Sequence, residues 1–170
     1  MYPCHKHFYL CKFYQIVSNS EAFCYDWAMP RTYNSTLPAG YYFASSDDLS
    51  PIEIIDLRTS VNWLGDTEER WLRVIEQSLD IITVRSSSGR LVGAACLAGN
   101  LRHAVICDLA VRPGHQHMGI GGAIMSKLER LVVDLDVKYA YAELAATNPF
   151  RQKMIESGFR ETGNSLFCAR

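Results

Sequence analysis

Gln116, Gly119 and Gly121 form a Gln-x-x-Gly-x-Gly pattern between two regular segments of the sequence. The segment before them is an apolar run that ends at Val111, and the segment after them has the spacing of an amphipathic helix. Glycines in a turn that begins a helix leave the first amide N–H groups of that helix accessible to a ligand. Because the helix dipole places partial positive charge there, the pattern predicts that residues 117–122 bind a phosphate group.

Two other phosphate-binding loops do not fit this turn. The P-loop requires a lysine followed by serine or threonine, and the segment GIGGAIM has no lysine. The dinucleotide fingerprint requires Gly-x-Gly-x-x-Gly, and the third glycine of that spacing is absent here. A nucleoside triphosphate and a dinucleotide are therefore not the expected ligands.

The periodicity of the sequence predicts a mixed sheet with helices, in the order β-α-α-β-β-β-α-β-α-β. The strands are predicted at 41–46, 81–86, 91–99, 103–111, 139–146 and 159–170, the last as a strand or a hairpin. The helices are predicted at 51–61, 66–79, 119–134 and 149–157, with Gly158 ending the last one.

The first two helices have recognisable starts. Ser50 is the expected N-cap of the first helix, with Pro51 in the first turn and Glu53 three residues after the cap. Asp66 or Thr67 is the expected cap of the second helix. The apolar stripe of the second helix is expected to consist of Trp71, Leu72, Ile75 and Leu79.

Composition and charge exclude several classes of protein. Hydrophobic residues make up 48% of the chain and charged residues 21%, which is typical of a globular protein. The formal net charge is -1, whereas a nucleic-acid or membrane-surface protein needs a basic excess. We therefore expect one domain at 39–170 after an N-terminal extension at 1–38, with no nucleic-acid and no membrane partner.

The cysteines indicate a reducing compartment. They include no Cys-x-x-Cys pair, and Cys96 and Cys107 lie in apolar runs, where cysteine acts as a small hydrophobic residue. The first residues also lack the continuous apolar core of a signal peptide, so we expect a cytoplasmic protein. Four residues of metal-binding type occur near the N-terminus: Cys4, His5, His7 and Cys11. Their spacing matches no standard zinc pattern, so no metal is expected.

The segment DLAVRPGHQHMGIGGAIMSKLE, with ATNPF and ESGF downstream, resembles the GNAT superfamily of acyl-CoA-dependent N-acyltransferases. A strand, Val-x-Pro, Gln-x-x-Gly-x-Gly and a helix follow one another there, and Asn-Pro and Gly-Phe come at the right distance. The resemblance covers residues 40–170 and includes the element order. It implies an α/β (α+β) fold with a mixed, mostly antiparallel sheet, a splayed central parallel pair of strands, and helices on both faces.

The resemblance also implies acetyl-CoA as co-substrate. In the family, the loop amides hold the CoA pyrophosphate, and the pantetheine arm pairs with the strand before the loop, where a backbone N–H polarises the thioester carbonyl. Carried over, the cofactor-binding residues are Leu109, Ala110, Val111, Gln116, His117, Met118, Gly119, Ile120, Gly121, Gly122 and Asn148. Gln116 shapes the turn, and Arg112 and His117 are candidates to add positive charge near the phosphates.

Asp108 is the candidate catalytic residue. The reaction of the family is direct attack of an amine on the thioester, and an amine that is protonated near neutral pH needs a base. Asp108 lies three residues before Val111, where relatives often carry aspartate, and it is the only carboxylate in HAVICDLAV. A structural carboxylate that accepts backbone N–H bonds is an equally open interpretation, and Glu143 and His103 are further candidate bases.

The sequence departs from the family pattern at Met154. Many relatives have a tyrosine four residues before the Gly-Phe pair, where it protonates the leaving thiolate, and a thioether cannot donate a proton. The thiolate then leaves unassisted, or a water molecule, Tyr139 or Tyr141 supplies the proton.

We therefore expect an acyltransferase that moves an acetyl group from acetyl-CoA to a primary amine of a small molecule by base-assisted direct attack. Trp63 is the candidate substrate residue, because an aromatic wall suits a flat or cationic amine. The alternatives are an acyl-CoA-binding regulatory or pseudo-enzyme domain without turnover, motivated by Met154, and acetylation of a protein amine. Dimers are common in the family, so a homodimer is a further expectation.

Overall fold

The computed structural model describes residues 36–143, 148, 150–156, 159–162 and 165–169. Its strands are β1 (Tyr41–Ala44), β2 (Asp80–Ser86), β3 (Leu91–Gly99), β4 (His103–Val111), β5 (Tyr139–Glu143), β6 (Arg160–Thr162) and β7 (Ser165–Ala169). Its helices are α1 (Pro51–Ser60), α2 (Glu68–Gln77), α3 (Ile120–Asp134) and α4 (Phe150–Glu156). The predicted order of elements is confirmed, and the C-terminal segment forms a hairpin.

The seven strands form one mixed sheet in the order β1-β2-β3-β4-β5-β7-β6. Every neighbouring pair is antiparallel except β4 and β5, which are parallel. The described pairing of β4 with β5 begins at His103 opposite Tyr139 and ends at Ile106 opposite Ala142. β4 continues to Val111 and stays paired with β3. The predicted mixed, mostly antiparallel sheet with a central parallel pair is therefore confirmed.

Helices cover both faces of the sheet, as predicted. On one face, α3 and α4 bury apolar side chains such as Ile124 and Met154 against the sheet. On the other face, Leu57 of α1 and Trp71 of α2 are buried in a second core. Because successive residues of a strand point to opposite faces, β3 contributes to both cores, and its residues 91–97 are all buried.

The predicted starts of α1 and α2 are confirmed. The Ser50 side chain accepts a hydrogen bond from the Glu53 N–H, and the Glu53 carboxylate accepts one from the Ser50 N–H, which completes a capping box. Thr67, one of the two predicted caps, accepts from the Arg70 N–H. Glu53 also pairs with Arg85 of β2, and the hydrogen bond from this guanidinium lowers the pKa of Glu53 to about 2. The start of α1 is thereby fixed to the sheet.

The predicted apolar stripe of α2 is wrong at two residues, Leu72 and Leu79. Leu72 is 49% exposed, whereas Trp71 is buried and Val74 lies partly buried beside the same core. The helix ends at Gln77, so Leu79 lies outside it and packs on the opposite face of the sheet. The periodicity of the sequence continues past the point where Ser78 caps the helix.

Several sequence predictions concern residues outside the described ranges. They include the extension predicted at 1–38 except for its last three residues, the group from Cys4 to Cys11, and the role of Gly158 in ending α4. The domain start at residue 39 therefore stays a prediction. Among the described helices, none combines the length and the apolar character that a bilayer span requires.

Candidate active site

β4 has a bulge at Asp108. Cys107 pairs with Cys96 of β3, but Ala110 pairs with Ala94, so two residues of β4 lie opposite one residue of β3. Asp108 has a left-handed φ of +55°, a conformation that aspartate tolerates better than most residues. Because a bulge takes a side chain out of the regular alternation of its strand, the carboxylate is directed toward α1, where it finds its partner.

That partner is Arg58, whose Nη1 forms an ion pair with Oδ1 of Asp108. The Arg58 guanidinium lies near two indole rings, 5.0 Å from the ring centroid of Trp63 and 5.2 Å from that of Trp71. The side chain of Arg58 is 18% exposed and that of Asp108 is 28% exposed. The carboxylate is thus neutralised by a well-held cation, and both charges stay partly accessible to solvent.

Trp63, the predicted substrate residue, lies beside this ion pair. It follows α1 in a loop in which Asn62 has a left-handed φ of +60°, and its backbone N–H donates to the Arg58 carbonyl at 3.1 Å. The residue is 38% exposed although Arg58 lies against its ring. The structure therefore brings Trp63 and Asp108 together through Arg58, and part of the indole still faces solvent.

The chain turns sharply between β4 and α3. The side-chain amide of Gln116 donates to the Val111 carbonyl at 2.8 Å, which closes the turn. His117 has a left-handed φ of +62°, and Gly119, the N-cap of α3, has a φ of +88°. A Cβ on Gly119 would meet nothing within 4 Å, so this glycine is required by its backbone conformation and not by crowding.

The first turn of α3 presents unpaired amides. The first intrahelical hydrogen bond runs from the Ala123 N–H to the Gly119 carbonyl at 3.0 Å. The amides of Ile120, Gly121 and Gly122 precede it and therefore have no acceptor within the helix. These amides belong to the predicted pyrophosphate-binding residues, and an anion at this position would be stabilised by both the N–H groups and the helix dipole.

The strand that leads to this turn continues beyond its described pairing with its parallel neighbour. In the described part of the chain, the pairing of β4 with β5 ends at Ile106, before the bulge. The predicted pantetheine-binding residues Leu109, Ala110 and Val111 follow directly. Backbone groups at such a strand edge can pair with an extended ligand as they would with an added strand. The strand edge and the α3 amides thus lie at the same end of the sheet.

Gly121 and Asn148 also have packing roles. A Cβ on Gly121 would lie 2.7 Å from Cζ of Phe150, so the ring at the start of α4 occupies that space. The Asn148 side-chain oxygen accepts a hydrogen bond from the Phe150 N–H at 2.9 Å. Gly121 therefore leaves room for the start of α4 beside α3, and Asn148 caps α4.

Tyr41 of β1 holds the turn from the side of the sheet. Its hydroxyl lies 2.8 Å from Nδ1 of His115 and 3.5 Å from Sδ of Met118. The rings of Tyr41 and His115 also meet edge to face, with centroids 5.6 Å apart. Because Met118 is one of the predicted CoA-binding residues, Tyr41 fixes a segment that the ligand would contact.

The sequence alone does not identify Arg58 or Tyr41 as residues of the candidate site. Arg58 lies 50 residues from Asp108 and Tyr41 lies 74 residues from His115, so neither contact has a local signal. For Arg58, the available hint is that a carboxylate within an apolar strand needs a partner. Nothing in the sequence around Tyr41 distinguishes it from the neighbouring Tyr42.

The expectation that Arg112 adds charge near the phosphates is wrong. Its guanidinium is buried, donates to the Asp56 carboxylate of α1 at 2.8 Å, and donates to the Leu91 carbonyl at 3.3 Å. Arg112 therefore ties the end of β4 to α1. His117 is exposed in the turn, and its contact with a phosphate stays a prediction.

Met154 does not lie in the site. Its side chain is fully buried in the core that α3 shares with the sheet, and its consequence for the proton donor of the reaction stays a prediction. Glu143, a candidate base, is the last residue of β5, and its side chain lies outside the described part of the chain.

The other candidate proton carriers cluster at the start of β4. His103 stacks on Tyr139 with ring centroids 5.0 Å apart, and its Nδ1 lies 3.3 Å from the Tyr141 hydroxyl. His103 precedes Asp108 by five residues, which corresponds to about 16 Å along a strand. The structure therefore groups these three residues with one another and not with Asp108.

Cys107 directly precedes Asp108 and faces Cys96 across β3 and β4. Its hydrogen bond with Cys96 and its burial raise the pKa of the Cys107 thiol. Cys96 also lies 3.1 Å from the Ser78 hydroxyl. Because only a thiolate is a good nucleophile, Cys107 is not suited to covalent catalysis near neutral pH.

The sequence profile of the acetyltransferase (GNAT) family matches residues 47–159 of this chain. The matched range includes α1, the bulge of β4, the turn and α3. No curated protein matches the chain with significance.

Solved structures of acetyltransferases share the fold. The ribosomal-protein-S18-alanine N-acetyltransferase from Escherichia coli is 18% identical, with 75% of this chain and 90% of that chain covered and a TM-score of 0.63. Ard1 from Thermoplasma volcanium is 15% identical, with 77% of this chain and 98% of that chain covered and a TM-score of 0.64. The PaiA N-acetyltransferase from Thermoplasma acidophilum, solved with coenzyme A, is 12% identical, with 75% and 96% covered and a TM-score of 0.56. At these identities the likeness concerns the fold alone.

Proposed function

Because the chain belongs to the GNAT acetyltransferase family, we propose that it moves an acetyl group from acetyl-CoA to a primary amine of a small molecule. The observation that carries the proposal is the arrangement at the end of β4. The strand continues beyond its described pairing with β5, bulges at Asp108 and leads into a helix whose first amides have no intrahelical acceptor. An extended arm along the strand and an anionic group at the helix start fit this arrangement together.

The turn residues are the proposed site for CoA. The amides of residues 117–122 would donate to the pyrophosphate, and the edge of β4 at 109–111 would pair with the pantetheine arm. Gln116 supports this role by fixing the turn to the Val111 carbonyl. Asn148 is the proposed pantetheine contact, since its side-chain nitrogen remains available while its oxygen caps α4.

In the proposed reaction, the acceptor nitrogen bonds to the thioester carbonyl carbon while the carbon–sulfur bond breaks and the CoA thiolate leaves. The nitrogen must lose a proton, and Asp108 is the proposed acceptor of that proton, directly or through a water molecule. A backbone N–H near the bulge would stabilise the oxyanion. A thiol pKa of about 8.5 lets the thiolate leave without a dedicated acid.

The alternative is a CoA-binding domain without turnover, and its motive is Met154, which cannot donate a proton and is buried in the core. Acetylation of a protein amine uses the same chemistry on a larger acceptor. Trp63, partly exposed beside the Arg58 and Asp108 pair, is the proposed contact of the acceptor.

The test is an acceptor screen with the purified protein and acetyl-CoA. We expect thiol release that depends on a primary amine, an acetylated amine in the mass spectrum, and inhibition by free CoA but not by ATP or NAD. Reactions without amine and reactions with free CoA in place of acetyl-CoA are the controls. Tight acetyl-CoA binding without thiol release on any small-molecule or peptide amine would overturn the proposal.

A further inference from the structure

The Arg58 guanidinium has hydrogen-bonding capacity that the protein does not use. A guanidinium carries five N–H donors, and here Nη1 donates to Asp108. Nε is buried and has no hydrogen-bond partner in the described part of the chain. The Arg58 side chain is otherwise partly exposed, so a ligand from solvent would meet its terminal nitrogens and not Nε.

The guanidinium is also held more firmly than charge neutralisation requires. The indoles of Trp63 and Trp71 both contact it, with ring centroids 5.0 and 5.2 Å from the Arg58 Cζ. Arg58 lies in α1, whose first turn is fixed to β2 by the Glu53 and Arg85 pair. A planar cation that is oriented in this way suits recognition of a carboxylate by charge-assisted hydrogen bonding.

A simple cationic amine would meet a positive charge at this site. An ammonium group near Asp108 is also near Arg58, because the two side chains form one ion pair. Like charges repel, so Arg58 opposes binding of an acceptor whose only charge is positive. An acceptor with a carboxylate beside its amine instead matches both members of the pair, with the amine at Asp108 and the carboxylate at Arg58.

From these contacts we propose that the acceptor is an α-amino carboxylate and that Arg58 binds its carboxylate. The inference rests on the proposed function and names the substrate class of the same site. The positive charge of Arg58 also favours the neutral form of the neighbouring amine, which is the nucleophile. The exposed part of Trp63 gives the acceptor side chain an apolar surface next to the ion pair.

The test compares acceptors that differ only in the carboxylate: phenylalanine, phenylalaninamide and 2-phenylethylamine, and likewise tryptophan and tryptamine. We expect kcat/KM to be higher for each carboxylate by about tenfold or more, because a site built for a polar group discriminates against an analogue that lacks it. In Arg58→Gln the ratio of kcat/KM between each carboxylate and its analogue should fall toward one, mainly because KM of the amino acid rises. Arg58→Lys should keep part of the ratio, since it keeps the charge but not the fork.

Arg73→Gln is the matched control, because Arg73 is an exposed arginine of α2 paired with Glu69, and its acceptor ratio should equal that of the wild type. The ratio within each variant is the readout, so a uniform loss of activity or fold does not imitate the effect. Turnover with equal kcat/KM for carboxylate and amine, or a ratio that Arg58→Gln leaves unchanged, would overturn this inference and leave the proposed function intact. Absence of thiol release with every acceptor would overturn both.

Discussion

The guanidinium of Arg58 and the carboxylate of Asp108 join the end of α1 to the bulge of β4. The two residues are 50 positions apart in the sequence, so the pair joins α1, which precedes the loop of Trp63, to strand β4. The carboxylate therefore lies next to a fixed cation, and a variant of Asp108 tests its proposed role as a base together with its role in the fold.

We expect Asp108→Asn to lower kcat by about 10²–10⁴-fold, which is the range for loss of a general base. Because the variant leaves Arg58 without its carboxylate, thermal unfolding must be measured beside the kinetics. Asp134→Asn, which alters an exposed carboxylate of α3, is the control and should leave kcat unchanged. A folded Asp108→Asn protein with normal kcat would assign Asp108 a structural role.

Tyr41→Phe should weaken acetyl-CoA binding. The change removes the hydroxyl that lies 2.8 Å from His115 and 3.5 Å from Met118, and so frees the turn from β1. We expect KM for acetyl-CoA to rise by about three- to tenfold, with kcat almost unchanged. A change of this size corresponds to the free energy of about one hydrogen bond. Tyr42→Phe is the control, because Tyr42 is an exposed neighbour on the same strand. Equal KM values for the two variants would contradict this role of Tyr41.

Gly121→Ala should destabilise the protein by about 1–3 kcal/mol, as overpacking usually does. The new Cβ would lie 2.7 Å from the Phe150 ring and would push α4 away from α3. Gly114→Ala, where a Cβ meets nothing within 4 Å, should stay within about 0.5 kcal/mol of the wild type. Urea unfolding provides the free energies, and Phe150→Leu combined with Gly121→Ala should recover part of the loss. A Gly121→Ala protein as stable as Gly114→Ala would mean that α4 adapts without cost.

Local signals account for what the sequence predicts well. The capping box of Ser50 and Glu53 and the cap at Thr67 depend on residues within three positions of one another, and both occur as expected. The order of strands and helices follows from periodicity, and a strand, a Gly-rich turn and a helix at 103–134 follow from their spacing. These features need no knowledge of which element packs on which.

Contacts between distant elements account for what the sequence does not predict. Arg112 turns toward Asp56 of α1 because the end of β4 lies under that helix, which no pattern around Arg112 indicates. Met154 occupies the position of a tyrosine in relatives, but its burial depends on how α4 packs against α3. The sequence identifies Asp108 as a carboxylate in need of a partner, and only the fold supplies Arg58 as that partner.

Glu53→Gln should reduce stability in a way that depends on pH. Arg85 lowers the pKa of Glu53 from 4.5 to about 2, so the carboxylate favours the folded state. Its contribution is complete above the unfolded pKa near 4.5 and is lost as the pH falls through the folded pKa near 2. The stability difference between wild type and Glu53→Gln, from urea unfolding, should therefore be constant near neutral pH and shrink below about pH 4.5.

Glu68→Gln is the control for this effect, since Glu68 is an exposed residue in the first turn of α2 and should give a small difference at every pH. A Glu53→Gln difference that stays constant down to the lowest pH at which the protein is folded would contradict the role of Arg85. Because the same pair fixes the start of α1, the Glu53→Gln enzyme should also show a higher KM for the acceptor.

Cys107→Ala should retain activity, because the proposed reaction is direct attack and not transfer through a cysteine. The hydrogen bond with Cys96 and burial raise the pKa of Cys107. At neutral pH its thiolate fraction is therefore smaller than that of an ordinary cysteine. We expect kcat/KM to stay within about tenfold of the wild type, a change of about 1.4 kcal/mol that loss of packing can explain. Cys96→Ala, which removes the partner of Cys107 in the same core, is the matched control for packing. Mixing the wild type with acetyl-CoA and no amine should leave the peptide that contains Cys107 without an acetyl group, and an acetylated Cys107 together with parallel double-reciprocal lines would contradict direct attack.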